Sequence, residues 1–304
     1  MKKINPHLAL VFILLFIIIT AFSTVHNSKK IIVSSVTAAN VASNDYNLNI
    51  SILLDLSDRI SLTKSPGAYK NDLGHISSIA DAFVTHVRSK KIIMMNDQMQ
   101  IYFEPTPSDS KINDVAQKLR IQLTKNNSTK QFIESIKPKY NKLSNELYNL
   151  ALQNKQFIGS DIWGFVTTKS GNYCIKDQSR NILIILTDGY MFHQNKKNIV
   201  GHKSTYITPA LIKEFGLNKN DYENKFRTGG YGFITKNKGQ LAKLNILVVG
   251  IAPSKSNPYD EELINLYWSS WFKEMGIKNF KIISSDLPSN LDPVIKDYIL
   301  NKAG

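Results

Sequence analysis

Two stretches of this 304-residue chain are apolar without a break: Asn181 to Leu186 reads NILIIL, and Leu244 to Ile251 reads LNILVVGI. A strand with one wet face alternates apolar and polar residues. A run without alternation is the pattern of a strand buried on both faces, as in a parallel sheet covered by helices. A third short apolar run, Asn49 to Leu54 (NISILL), reads as the first strand. Between these runs the spacing turns helical. In residues 74–90 the apolar positions are Ile76, Ile79, Ala80, Phe83, Val84 and Val87, which line one helix face. Further helices are predicted over 111–123, over 130–153 with an interruption or kink at Pro138, from Ile162, over 259–275 and over 290–302. Ile92 to Met95 and Met99 to Phe103 read as two short strands joined by a hairpin turn at Asn96-Asp97, and Phe280 to Ile283 as a last strand. Strands alternating with helices predict an α/β class: a doubly wound, mostly parallel central sheet with helices on both faces. Hydrophobic residues at 42% and aromatics at 10% supply the core and exclude a chain disordered over most of its length.

The amino terminus reads as an address. Lys2 and Lys3 precede Leu8 to Phe22, an uncharged stretch dominated by Leu, Ile and Phe. A positive segment before an apolar one marks a secretory signal; the stretch is at the upper end for a signal and slightly short for a full span of about 20 residues, which leaves cleaved signal and uncleaved anchor both open. Residues 1–23 are therefore a signal peptide or an anchor, 24–47 a small-residue linker, and 48–304 the folded domain. The expected location is exported, either anchored at the cell membrane through residues 8–22 or free in the periplasm or outside the cell. The single cysteine, Cys174, forms no internal disulfide and builds no cysteine-rich zinc site. It reads as a loop or partly buried thiol.

In an open α/β sheet, ligands bind beyond the carboxyl ends of the strands, at the point where the strand order reverses. Three polar segments fall at such places: Asp55-Leu56-Ser57-Asp58-Arg59 after the first strand, Gly159-Ser160-Asp161 before a helix, and Thr187-Asp188-Gly189 after a central strand. Their carboxylates and hydroxyls are the hard oxygen ligands that Mg²⁺ and similar cations prefer. The candidate metal ligands are Asp55, Ser57, Ser160, Asp161 and Asp188.

On these residues the sequence resembles the von Willebrand factor A (VWA) family over roughly residues 48–300. That family places a metal-ion-dependent adhesion site at Asp-x-Ser-x-Ser after the first strand, a Thr in a later loop and an Asp after a central strand. Asp55 and Ser57 match the first two positions. Ser160 in GSDI takes the Thr position as a hydroxyl swap, and Asp188 in ILIILTDG matches the last. The resemblance implies a bound Mg²⁺ or another divalent cation that accepts a carboxylate from a protein partner, without catalysis.

One position departs from the pattern: Arg59 stands at the second serine. A guanidinium cannot ligate a cation. Either the metal binds with fewer protein ligands and more water, or Arg59 sits among the aspartates as an internal counter-ion. The structural alternative for Asp55 and Asp188 is helix capping or an ion pair with Arg59.

No enzyme chemistry is expected. A strand-end Asp suggests the aspartyl nucleophile of haloacid dehalogenases, but Ser57 occupies the position of the second carboxylate that such chemistry needs. The six histidines show no HExxH spacing. Gly229-Gly230-Tyr231-Gly232 reads as a turn rather than a phosphate loop, and Trp268 and Trp271, three apart on a helix, as core.

Two connections are long, about 105–158 and 190–243. The second carries ten Lys/Arg against three acids. It reads either as a basic surface that attracts an acidic partner or as a solvated flap. Lysine and arginine exceed the acids by 14 over the chain, yet no nucleic-acid motif is present and no nucleic-acid partner is expected. The function expected is metal-assisted protein binding. The alternatives are a membrane-associated structural assembly subunit with a decayed metal site and, less favoured, a metal-dependent hydrolase.

Overall fold

The computed structural model describes residues 46–154, 157, 159–254 and 257–301. The predicted signal or anchor and nearly all of the linker lie outside them. No described helix is long and apolar enough to cross a membrane.

The architecture is mixed α/β around a six-stranded, mostly parallel sheet. Its strands are β1 (Asn47–Leu54), β2 (Gln98–Tyr102), β3 (Ile121–Gln122), β5 (Ser179–Leu186), β10 (Leu244–Ile251) and β11 (Asn279–Ser284). They lie in the order β11-β10-β5-β1-β2-β3. All neighbours are parallel except β3, which runs against β2. The order grows from β1 towards β2, then resumes on the other side of β1 with β5. The carboxyl ends of β1 and β5 therefore form the switch point. Register is set there by Leu54 opposite Leu186.

Two cores share the sheet, and the strand pleat divides them. Leu48, Ile50, Ile52 and Leu54 of β1 face one core together with Ile182, Ile184 and Leu186 of β5, while Leu53, Leu183 and Ile185 face the other. This is why these runs show no alternation: both faces are dry. The first core takes helix α1 (Ala68–Arg88), α2 (Ser110–Lys118), α3 (Lys130–Asn154) and α7 (Pro288–Leu300). The second takes α6 (Asp260–Glu274), whose Trp268 and Trp271 are buried as expected.

Several sequence readings are corrected. Ile92–Met94 is a 3-10 turn with exposed side chains, and β2 pairs in parallel with β1, so no hairpin forms at Asn96-Asp97. Parallel neighbours need a crossover, which α1 supplies. Asp97 is buried instead, accepting from Leu48 N at 2.7 Å and Lys90 Nζ at 2.7 Å, and so pins the start of β1. The helix read over 111–123 ends at Lys118, because the chain there turns into β3. Pro138 lies within the continuous span of α3. The connection 190–243 is not a solvated flap. It folds into the short strands β7 (Ile199–Val200), β8 (Lys203–Ser204) and β9 (Gly232–Phe233) and two helices, α4 (Pro209–Glu214) and α5 (Tyr222–Gly229), and sends Ile207, Ile212, Leu217, Phe226 and Phe233 into the second core. Cys174 is fully buried.

Candidate functional site

The three polar segments converge at the carboxyl edge of the sheet. Asp55 directly follows β1 and Asp188 lies two residues past β5, so the switch point brings them side by side. Gly159-Ser160 forms a two-residue strand, β4, antiparallel to β6 (Phe192–His193), rather than the plain helix opening read from sequence. Asp55, Ser57, Asp58, Ser160, Asp188, Tyr190 and Phe192 line one cleft of about 290 Å³, together with Thr208 and Pro209 from the basic connection. Gly159 makes this approach possible: its φ is +92°, and a Cβ there would lie 2.0 Å from the Phe192 carbonyl oxygen.

Asp55 is held firmly. Its Oδ1 accepts from Ser57 N at 2.9 Å and its Oδ2 accepts from Thr187 Oγ1 at 2.8 Å. Asp188 is half-buried, and its Oδ1 accepts from Tyr190 N at 3.0 Å. The Ser57 hydroxyl has no hydrogen-bond partner among the described residues, and that of Ser160 has only the Glu104 carbonyl at 3.5 Å. Burial first, and the neighbouring Asp55 charge second, push the Asp188 carboxyl up to about 7. Two carboxylates and two loosely committed hydroxyls suit a hard divalent cation. Among the described residues no group of three or more His, Cys, Asp or Glu could hold a metal. A cation here would therefore depend on the hydroxyls and on water.

Asp161 does not join the cleft. Its Oδ1 accepts from Gly164 N at 2.9 Å and caps the helical segment that begins at Ile162. Gly164 is needed for this, since a Cβ there would lie 2.2 Å from Asp161 Oδ2. One of its two carboxylate oxygens is thus engaged in a cap, and Asp161 is not among the residues lining the cleft.

Arg59 is buried and turned towards α1. Its Nη2 donates to Asp72 Oδ2 at 2.5 Å and to the Leu186 carbonyl at 2.9 Å, while Nε donates to the Asp55 carbonyl at 3.0 Å. Nε also lies 3.6 Å from Asp55 Oδ2. Tyr148 OH donates to the same Asp72 oxygen at 2.6 Å. Burial works against the Arg59 charge, but Asp72 and then Asp55 outweigh it and hold the guanidinium above its ordinary value. Of the two expectations for Arg59 the contacts match the internal counter-ion, with Asp72 rather than a cleft aspartate as its main partner.

Sequence reasoning missed Asp72, Tyr148, Thr187 and Tyr190. Asp72 left a signal: with Ile76, Ile79 and Phe83 it sits on the apolar stripe of α1, where a carboxylate needs a partner. His75, one turn on, is also buried with neither ring nitrogen bonded, and burial lowers its pKa.

No family model matches the chain, and no curated protein matches it. Among solved structures it is similar to proximal thread matrix protein 1 from the mussel byssus, at 12% identity and a TM-score of 0.36. The alignment covers 84% of this chain and 49% of that one, so the chain spans about half the length of that protein. A likeness at this level carries no argument about fold or function.

Proposed function

We propose that this chain is an exported or membrane-anchored VWA-like domain that binds a protein partner through a divalent cation, Mg²⁺ or a similar ion, without catalysis. The doubly wound arrangement belongs to this reading and is supported by the two cores on opposite sides of the pleat. One observation carries the functional claim: Asp55, Ser57, Ser160 and Asp188, separated by up to 133 positions in sequence, line one cleft at the switch point. In this reading they hold the cation, and an acidic side chain of the partner completes its shell. Lys197 of the 190–243 connection stands over the ring of Phe192, which lines the cleft, and favours such a partner.

The test is calorimetric titration of Mg²⁺ and Mn²⁺ into the wild type and Asp188→Ala, followed by partner capture with and without the ion. Saturable binding in the wild type that is lost in Asp188→Ala supports the reading. Identical heats in both proteins refute it.

A second reading has its own support. Arg59 Nε stands 3.6 Å from Asp55 Oδ2 and already neutralises part of that carboxylate. This favours a structural assembly subunit whose metal site has decayed. Partner capture indifferent to chelation would favour it over the first.

A further inference from the structure

The edge of the sheet opposite the cleft carries a feature that metal binding does not use. Ile92, Ile93 and Met94 are consecutive, and their exposures are 56%, 75% and 45%. They form the tip of the 3-10 turn between α1 and β2. Soluble surfaces scatter single apolar residues, whereas a contiguous exposed group marks a contact surface.

The turn is fixed in place. Asn96 N donates to Asn47 Oδ1 at 3.1 Å, and Lys90 Nζ donates to the same oxygen at 2.6 Å. Lys176 Nζ donates to Asn96 Oδ1 at 2.8 Å. The tip therefore stands beside the first residues of β1, where the chain enters the domain. Residues 23–45 alone separate that point from the apolar run Leu8 to Phe22.

Topology places a row of lysines along this edge of the sheet. Lys243 and Lys278 immediately precede β10 and β11, Lys176 lies just before β5, Lys91 opens the turn itself and Lys125 follows β3, whose end meets the start of β2. Lys91, Lys125, Lys243 and Lys278 are exposed. Exposed acids on this edge are Asp177, beside Lys243 at 3.3 Å, Glu134, paired with Arg88 at the end of α1, and Asp297 in the last turn of α7. An apolar tip on an edge that carries exposed lysines matches a lipid interface: apolar side chains reach the acyl boundary and ammonium groups stay with anionic headgroups.

We propose that the amino-terminal edge of the sheet is a membrane-facing surface, with Ile92, Ile93 and Met94 inserting into an anionic bilayer and the row of lysines on its headgroups. The cleft at the carboxyl edge then points away from the bilayer, towards partners. The surface stands independently of whether the cleft holds a metal.

The experiment uses the full chain with Cys174→Ala, reconstituted in vesicles of phosphatidylcholine with 30% phosphatidylglycerol and a lipid-borne spin-label quencher. An environment-sensitive fluorophore is attached at Ile93→Cys or at Leu287→Cys, the latter 62% exposed and at the carboxyl edge. The expected result is quenching several-fold greater at 93 than at 287, reduced in pure phosphatidylcholine and by Ile92→Ser with Met94→Ser. These three positions are already exposed, so the serines leave the fold intact. Equal quenching at 93 and 287 overturns the proposal. So does protection of the label at 93 that grows with protein concentration in the absence of lipid, which would mark a protein contact instead.

Discussion

Replacing Arg59 with Met tests how the candidate site is held. The guanidinium joins three elements: the Asp55 carbonyl after β1, the Leu186 carbonyl at the end of β5 and the Asp72 carboxylate on α1, at 3.0, 2.9 and 2.5 Å. Asp72 is 2% exposed. Without Arg59 its charge keeps only the Tyr148 hydroxyl. Removing one partner of a buried pair costs about 3–5 kcal/mol. At roughly 2–4 °C per kcal/mol for a domain of this size, the melting temperature should fall by about 6–20 °C. Asp72→Asn should cost a similar amount, since it strands the guanidinium. The double variant Arg59→Met with Asp72→Asn should cost less than the sum of the two, with a coupling of about 2 kcal/mol or more. Urea denaturation of the four proteins gives the cycle. A single-variant loss below about 1 kcal/mol, or strict additivity, would refute the argument. The same result bears on function: Arg59→Ser restores the hydroxyl of the family pattern and frees Asp55, yet it should be unstable for the same reason. A tighter response to Mg²⁺ is therefore best read in Arg59→Met with Asp72→Asn.

Asp188→Asn should act in the opposite direction. The folded carboxyl is raised from 3.8 to about 7, so metal-free protein loses stability as pH rises through this window, up to a ceiling of about 4 kcal/mol at about 1.4 kcal/mol per pH unit. The variant should thus melt higher than wild type at pH 8, match it near pH 3.5, and show no Mg²⁺-induced rise; a variant less stable at pH 8 would contradict this. For Asp97, burial raises the pKa but bonds from His86, Lys90 and Leu48 N outweigh it and depress the carboxyl below 3.8. Its stabilisation is present above 3.8 and lost as pH falls through the depressed value, so Asp97→Asn should flatten the acid limb of the stability profile, measured by pH-dependent melting. Gly159→Val should separate β4 from β6, costing about 1–3 kcal/mol from strain at positive φ and abolishing any metal response; unchanged melting and metal affinity would show that the Phe192 carbonyl yields.

The sheet was legible because burial leaves its mark on composition. NILIIL and LNILVVGI must be dry on both faces, and NISILL with its neighbours is dry enough to join them, so strand identity follows from local pattern. The same holds for α1 and α6, whose apolar spacing marks the packed stripe, and for the hydroxyl and carboxylate residues placed just past the strands. What the pattern could not carry was pairing over distance. Ile92 to Met95 has strand composition, but the crossover through α1 makes β2 a parallel neighbour of β1 and leaves that segment as an exposed turn. The 190–243 connection looked basic and soluble by count, yet its few apolar residues are spaced to reach one core. The fates of the charges were likewise decided in three dimensions. Asp161 sits beside a candidate ligand in sequence but caps Gly164, while Asp72, thirteen residues beyond Arg59, is its main partner because α1 folds back over the ends of β1 and β5. Sequence determines which residues must be dry and which must find partners; only the packed structure decides which partner each one finds.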